Sequence, residues 1–482
     1  MTDTTVIRNA AWLVAWDGVA PGGGHRYVKN ADLAFRGDTI VHLGPGYDGP
    51  AAQEVDGAGL CVLPGLIDVH AHPMSEPLSK GFSEDAGNPR LGWSGLYEFM
   101  PAYGPEPADM HDCAEVAYAE LLLSGVTTLV DLSVPYPGWL ELAVQSGLRT
   151  VLAPMFRSAR WYTDNGHEVK YEWSEDGGAT AFAAALEVVD RALGHDSGRL
   201  GAMITPAQVD TCTPELLQRA KAAAEERGVR FHIHAAQSLV EFREMTRRHG
   251  LTPIQWLESL GVLGPATIIA HAIFLDDHSW ITWGTDRDLD VLAGSGASVA
   301  HCPVNFVRRG ILLESFARYR AAGIDIGIGT DTYPHNMIEE LRLAAVLARV
   351  PARGLTGATT GAIFEAATLG GARLLGRDDI GRLAVGAKAD LVLVDLANPA
   401  MRPLRDPLRS LIFTAAERAV RDVYVGGQQV VRDGCVSTLD SAGALDRLDD
   451  HRRRAEDRVP ERDWAGRTGE ELSPLSLPVM EA

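Results

Sequence analysis

Between residues 64 and 381 the chain repeats one pattern: apolar residues at helical spacing, a glycine stop, then a short β-branched run. "AEVAYAELLLSG" leads into "VTTLVDLS", "PELLQRAKAAAEERG" into "VRFHIHAAQ", and "SFARYRAAG" into "IDIGIGTDT". A helix-period segment followed by a buried-strand segment, again and again, predicts βα units around a parallel sheet. Counting from "GLIDVHA" gives about eight strands, the number of a (β/α)8 TIM-like barrel. A doubly wound open sheet is the competing layout, but no Gly-x-Gly-x-x-Gly turn follows the first strand.

The two ends read differently. Residues 1–63 alternate short apolar runs with Gly, Asp and Asn, and the texture returns over 382–440 in "GRLAVGAKADLVLVDL" and "VRDVYVGGQQVVRDG". These are strands and tight turns, so the expectation is an α/β chain whose barrel carries a small β-sandwich domain built from both ends. Residues 441–482 are charged and helical, then Pro-rich; a solvated tail wrapping its own domain is expected ahead of a subunit contact. The formal net charge of −20 argues against nucleic acid or an anionic membrane as partner. Five scattered cysteines without a Cys-x-x-Cys pair read as a reducing compartment. With no leader-like start and no long apolar run, a cytoplasmic protein is expected, working on a small molecule, with a homo-oligomer (a dimer first) anticipated.

Chemistry concentrates at the carboxyl ends of the strands, where barrels of this type carry their working groups. His70 and His72 end the first strand on one face, because side chains two apart on a strand point the same way. His234 ends "VRFHIHA", His271 ends "TIIAHA" and Asp331 ends "IDIGIGTD". Three histidines and one aspartate suit a divalent transition metal with a position left for water. His232 shares a face with His234, so either could serve; the one nearer the carboxyl end is favoured, and His232 is read as a packed or supporting residue.

These residues carry a resemblance. With "LPGLIDVHAHP", "SGVTTLVD", "FHIHAA", "IIAHA", "GIGTDT", "AATLGGARLLG" and "IGRLAVGAKADLVLVDL", nearly the whole chain resembles the metal-dependent amidohydrolase superfamily, in the branch of cytosine deaminase, S-adenosylhomocysteine deaminase and atrazine chlorohydrolase. The resemblance implies one metal ion held by His70, His72, His234 and Asp331, with His271 bonding a reacting oxygen and Asp331 moving a proton. Zinc is the first expectation; iron(II), manganese and cobalt suit the same ligands. Two-metal relatives use a carboxylated lysine from the fourth strand, and "GAMITPAQVDT" has no lysine, which implies a mononuclear site.

One position departs from that branch. Three residues after the third histidine, where its aminohydrolases carry a glutamate, stands Gln237. An amide donates and accepts hydrogen bonds but does not titrate. Cleavage of a small neutral urea, amide or carbamate is therefore expected ahead of deamination or dechlorination of a nucleobase- or triazine-like ring, and the chain is similar in overall motif to phenylurea and thiocarbamate hydrolases. A metal-retaining but inert binding protein is the third reading, disfavoured by His271 and Asp331. "HCPVNFVRR" lacks the branch's usual Ser-Asn after Pro303, leaving Asn305 and His301 as expected substrate contacts, with Trp93, Tyr97 and Phe156 as pocket walls. Phe99, Met100, Met155, Trp161 and Tyr162 are further candidates for an apolar mouth.

Overall fold

In the computed structural model, residues 4–19, 23–311, 313–314 and 316–480 are described. Eight parallel strands form the barrel: β1 (Leu66–Ala71), β2 (Val126–Asp131), β3 (Arg149–Leu152), β4 (Leu200–Pro206), β5 (Arg230–Ala235), β6 (Thr267–His271), β7 (Ser298–His301) and β8 (Ile326–Ile328). They neighbour one another in chain order, and a bridge between Ala71 and Asp331 joins the last to the first. The strand period decides what faces inward. On β5, Phe231 and Ile233 join the buried cluster shared with the helices, which turns His232 and His234 to the other face. On β1, Ile67 and Val69 pack with Val130, Met203 and Ile268 of other barrel strands, and the pairing with β2 shifts register between Asp68 and Ala71, the stretch that carries His70.

Closure requires glycine. A Cβ on Gly329 would lie 2.7 Å from the His70 Cβ and 2.8 Å from its carbonyl oxygen, so any side chain there would force the first and last strands apart. Beneath the join, the buried carboxylate of Asp68 accepts from Thr330 Oγ1 at 2.6 Å, Thr330 N at 3.2 Å and His70 N at 3.0 Å.

The β domain is one nine-stranded sheet. Strands from Thr4–Trp16 to Leu60–Pro64 supply one side, and Leu391–Asp395 pairs antiparallel with Leu60–Pro64 to bring in the strands of the later segment. The sheet curls until Phe35 meets Tyr424, ring centroids 5.6 Å apart, which gives the two-layered packing of a sandwich. The helix Ser441–Arg462 lies on its own barrel: Leu448, Ala455 and Val459 pack with Phe82, Tyr103, Cys113 and Val116. A ladder of ion pairs flanks that contact, Arg447–Asp112 at 2.8 Å, Arg454–Asp109 at 2.9 Å, and Arg458 and Arg462 on Glu106.

Barrel and β domain are pinned by a buried ion pair. Arg149 of β3 donates through Nε (2.7 Å) and Nη2 (3.2 Å) to Asp390, which also accepts from Gly426 N. Removing one partner strands a buried charge, so Arg149→Met is expected to cost about 3–5 kcal/mol, read as a lower denaturant midpoint, with Arg149→Met/Asp390→Leu recovering part of it.

Candidate metal centre

Four donor atoms meet at the carboxyl end of the barrel. His72 Nε2 lies 3.2 Å from His234 Nε2, and Asp331 Oδ1 lies 3.4 Å from His72 Nε2 and 3.6 Å from His70 Nε2. The other ring nitrogens fix the tautomers. His72 Nδ1 faces the Leu132 carbonyl at 2.8 Å and His234 Nδ1 faces the Ala207 carbonyl at 2.6 Å, so both must donate and both Nε2 atoms carry lone pairs. Two lone pairs 3.2 Å apart repel unless a cation lies between them. A tetrahedral zinc with metal–nitrogen bonds of about 2.0–2.1 Å has donor–donor edges of about 3.3 Å, which the measured separations match.

His70 completes the argument. Its Nε2 is buried with no hydrogen-bond partner, while its Nδ1 lies 3.3 Å from His232 Nε2. With the shared proton on its Nδ1, His70 aims the Nε2 lone pair at the cluster and His232 stands behind as the acceptor. Burial holds His70 and His234 well below the usual histidine range and takes His232 down to about 3. Neutral imidazoles are what a metal requires, and the donor set fits a divalent cation.

His271 stands beside this group, its Nε2 3.9 Å from Asp331 Oδ2, and burial takes it down to about 4, partly offset by Asp331. His271 (φ 76°) and Asp331 (φ 61°) both adopt the left-handed backbone that non-glycine residues avoid, and both sit where a strand turns over the barrel mouth. Asn305 donates to Asp331 Oδ2 at 2.6 Å, which orients that carboxylate. Gln237 lines the cavity, and its side-chain amide lies beside the buried Glu241 carboxyl. Its backbone N–H and that of Ala236 donate to the buried Glu241, which fixes the loop after β5.

A cavity of about 510 Å3 opens from the cluster, walled by Met74, Met100, Met155, Phe156, Trp161 and Phe306 among others. Other expected contacts lie elsewhere. Trp93 is on the surface, 48% exposed; Tyr97 is buried against Leu91 and Trp161, its hydroxyl 2.8 Å from Ser238 Oγ. His301, Phe99 and Tyr162 do not line the cavity either; His301 is buried with its ring against Phe316. Short-range pattern placed these side chains in the right segments but not on the cavity side. Cys302 was missed: its Sγ lies within 4.8 Å of ligand atoms of His70, His271 and Asp331, and burial, reinforced by Asp331 and Glu340, keeps it a neutral thiol. Its place directly after β7 was the available signal. The carbonyls of Leu132 and Ala207 leave no trace in side-chain identity.

The profile of the Amidohydrolase family matches residues 61–430. The chain belongs to the amidohydrolase family. It is 32% identical over 457 residues to an 8-oxoguanine deaminase of Pseudomonas aeruginosa, covering 92% of this chain and 97% of that protein. It is 29% identical over 425 residues to a 5-methylthioadenosine/S-adenosylhomocysteine deaminase of Natronomonas pharaonis (87% and 92%). Among solved structures, an adenosine deaminase from Xanthomonas campestris with bound zinc superposes with a TM-score of 0.79 at 25% identity, covering 94% of this chain and 98% of that one. An atrazine chlorohydrolase from Arthrobacter aurescens in complex with zinc shares the fold, with a TM-score of 0.76 at 22% identity, covering 93% and 100%. This amidohydrolase is a metal-dependent hydrolase acting on carbon–nitrogen bonds. Among the described residues, no helix is long and apolar enough to cross a membrane.

Burial takes His301 down to about 4, aided by His271. The unfolded chain then binds a proton near pH 6.5 that the native state refuses until about pH 4. The stabilisation from keeping His301 neutral is full above pH 6.5 and is lost as pH falls towards 4. His301→Gln is expected to flatten the slope of unfolding free energy against pH in that window by up to about one proton, measured by denaturant titration.

Proposed function

We propose that this amidohydrolase removes an amino group, or a comparable leaving group, from a nitrogen-rich heterocycle of nucleobase or triazine type. His70, His72, His234 and Asp331 would hold one zinc ion, with His271 and Asp331 as the groups that handle the reacting oxygen and proton. The observation that carries the metal-dependent reading is the set of donor atoms 3.2–3.6 Å apart, with the Nδ1 atoms of His72 and His234 turned to backbone carbonyls. The named deaminases among the relatives support a ring substrate, and so does a cavity with room for a substituted ring between apolar walls.

A divalent ion at this place supplies Lewis acidity that brings the pKa of water towards neutrality. Asp331 sits at the edge of the ligand set and is held by Asn305, so its carboxylate is poised to take a proton from water and deliver it to the departing nitrogen. His271, neutral through burial, donates a hydrogen bond to the oxygen that gains charge. The Gln237 amide lines the cavity and carries, besides the N–H facing Glu241, a second N–H that can donate to an endocyclic nitrogen. This keeps a ring oriented without serving as an acid, and it leaves the proton work to Asp331.

Gln237 is also the ground for the second reading, cleavage of a urea, amide or carbamate, which the sequence put first. An exocyclic carbonyl needs no protonated ring nitrogen. Ammonia release from purines, pyrimidines and aminotriazines, set against amine release from aryl ureas, separates the two. Ring substrates are expected to turn over faster, and aryl ureas faster than every ring tested would overturn the proposal. Chelation should abolish turnover and zinc restore it. Asp331→Asn is expected to lower kcat by at least about 100-fold with the circular dichroism spectrum unchanged.

A further inference from the structure

Away from the histidine cluster, the same cavity contains a carboxylate that the chemistry above does not use. Glu76 sits in the short turn Glu76–Ser79 that follows His72, is 4% exposed and lines the cavity. Its side chain makes no hydrogen bond and no ion pair with any described residue. Arg308, Arg309 and Asp331 line the same cavity and act on Glu76 from beyond ion-pair distance: burial lifts its carboxyl to about 7, while the two guanidinium groups pull it down and Asp331 adds to the rise. Both guanidinium groups are engaged elsewhere through some of their donors. Arg308 donates to the Tyr333 carbonyl and to Thr332 Oγ1, both at 2.8 Å, and stacks on the Tyr333 ring 4.4 Å from its centroid. Arg309 donates to the Ala86 carbonyl at 3.1 Å.

A buried carboxylate is retained without a partner at large cost, so an unpartnered one facing a ligand cavity marks a place where the ligand supplies the donors. The two nearby guanidinium groups disfavour an ammonium ligand and leave neutral N–H groups as the suitable donors. Two carboxylate oxygens accept a pair of adjacent N–H groups in parallel. We propose that Glu76 is a specificity-determining residue that accepts the paired N–H groups of a neutral N–C–N edge on the heterocycle, remote from the carbon under attack. The assignment rests on the ring-substrate reading and narrows it: besides the carbon that loses its substituent, the ring carries a ring N–H next to a second exocyclic amino group that stays in place.

Two neutral bicyclic probes differ only in that edge, 2-aminoquinazolin-4(3H)-one and quinazolin-4(3H)-one. Their dissociation constants are measured at about pH 8.5, where the Glu76 carboxyl is ionised, on the zinc-loaded protein and on Glu76→Gln at equal metal content and equal thermal stability. Wild type is expected to favour the amino-bearing probe by about tenfold or more, the range of a hydrogen bond to a charged group. In Glu76→Gln the preference should fall to within about twofold, with binding of the plain quinazolinone little changed. Equal affinity of the two probes for wild type overturns the role of Glu76 whether or not the variant folds, as does a preference that survives in Glu76→Gln. Binding of neither probe while an aryl urea is hydrolysed overturns the ring-substrate reading, and the assignment of Glu76 with it.

Discussion

The site depends on one seam, the junction of the first and last barrel strands. Asp331 N donates to the His70 carbonyl at 2.7 Å, and His72 N donates to the Asp331 carbonyl at 2.9 Å. That pairing brings two histidines from one end of the barrel sequence against the aspartate from the other. Gly329 lets the backbones approach, and Asp68 ties them from below through Thr330. Burial lifts Asp68 to about 7, although the hydrogen bonds from Thr330 and His70 act to lower it. Three of the four donors, those of His70, His72 and Asp331, belong to this seam.

Around the seam the backbone does much of the electronic work. Carbonyls of Leu132 and Ala207 set which nitrogen of His72 and His234 is free, and His232 does the same for His70. Leu132 and Ala207 directly follow β2 and β4, neighbours of the strands that carry His72 and His234, while His232 is a side chain within β5, so the geometry that builds the barrel also orients the imidazoles. This is the arrangement by which second-layer groups tune metal ligands in general.

The cavity wall is held from outside. Residues between Met74 and Met110 form much of the wall, and the helix Ser441–Arg462 with the segment after it clamps that stretch. Arg467 and Trp464 both donate to Glu98, and the ion pairs to Glu106, Asp109 and Asp112 continue the clamp along the helix. Exposed ion pairs are each weak, but this row is backed by a buried apolar seam through Leu448, Ala455 and Val459. The charged C-terminal segment is thus a buttress for the wall of the substrate cavity.

The barrel was legible in the sequence because its signals are short-ranged. A 3.6-residue period, a glycine stop and a period of two are properties of neighbouring residues, and they place His70, His72, His234, His271 and Asp331 at strand ends without knowledge of the whole. Gln237 was legible for the same reason, since its meaning follows from its offset from His234. What only the tertiary structure decided was company. It separated His234, whose Nε2 faces His72, from His232, which supports His70. It turned Trp93, Tyr97 and His301 away from the cavity, and it left the Glu76 carboxylate without a partner inside it. The pairings inside the cluster join residues 162 apart in the chain, and local spacing has no means of encoding which distant atom arrives beside a given side chain.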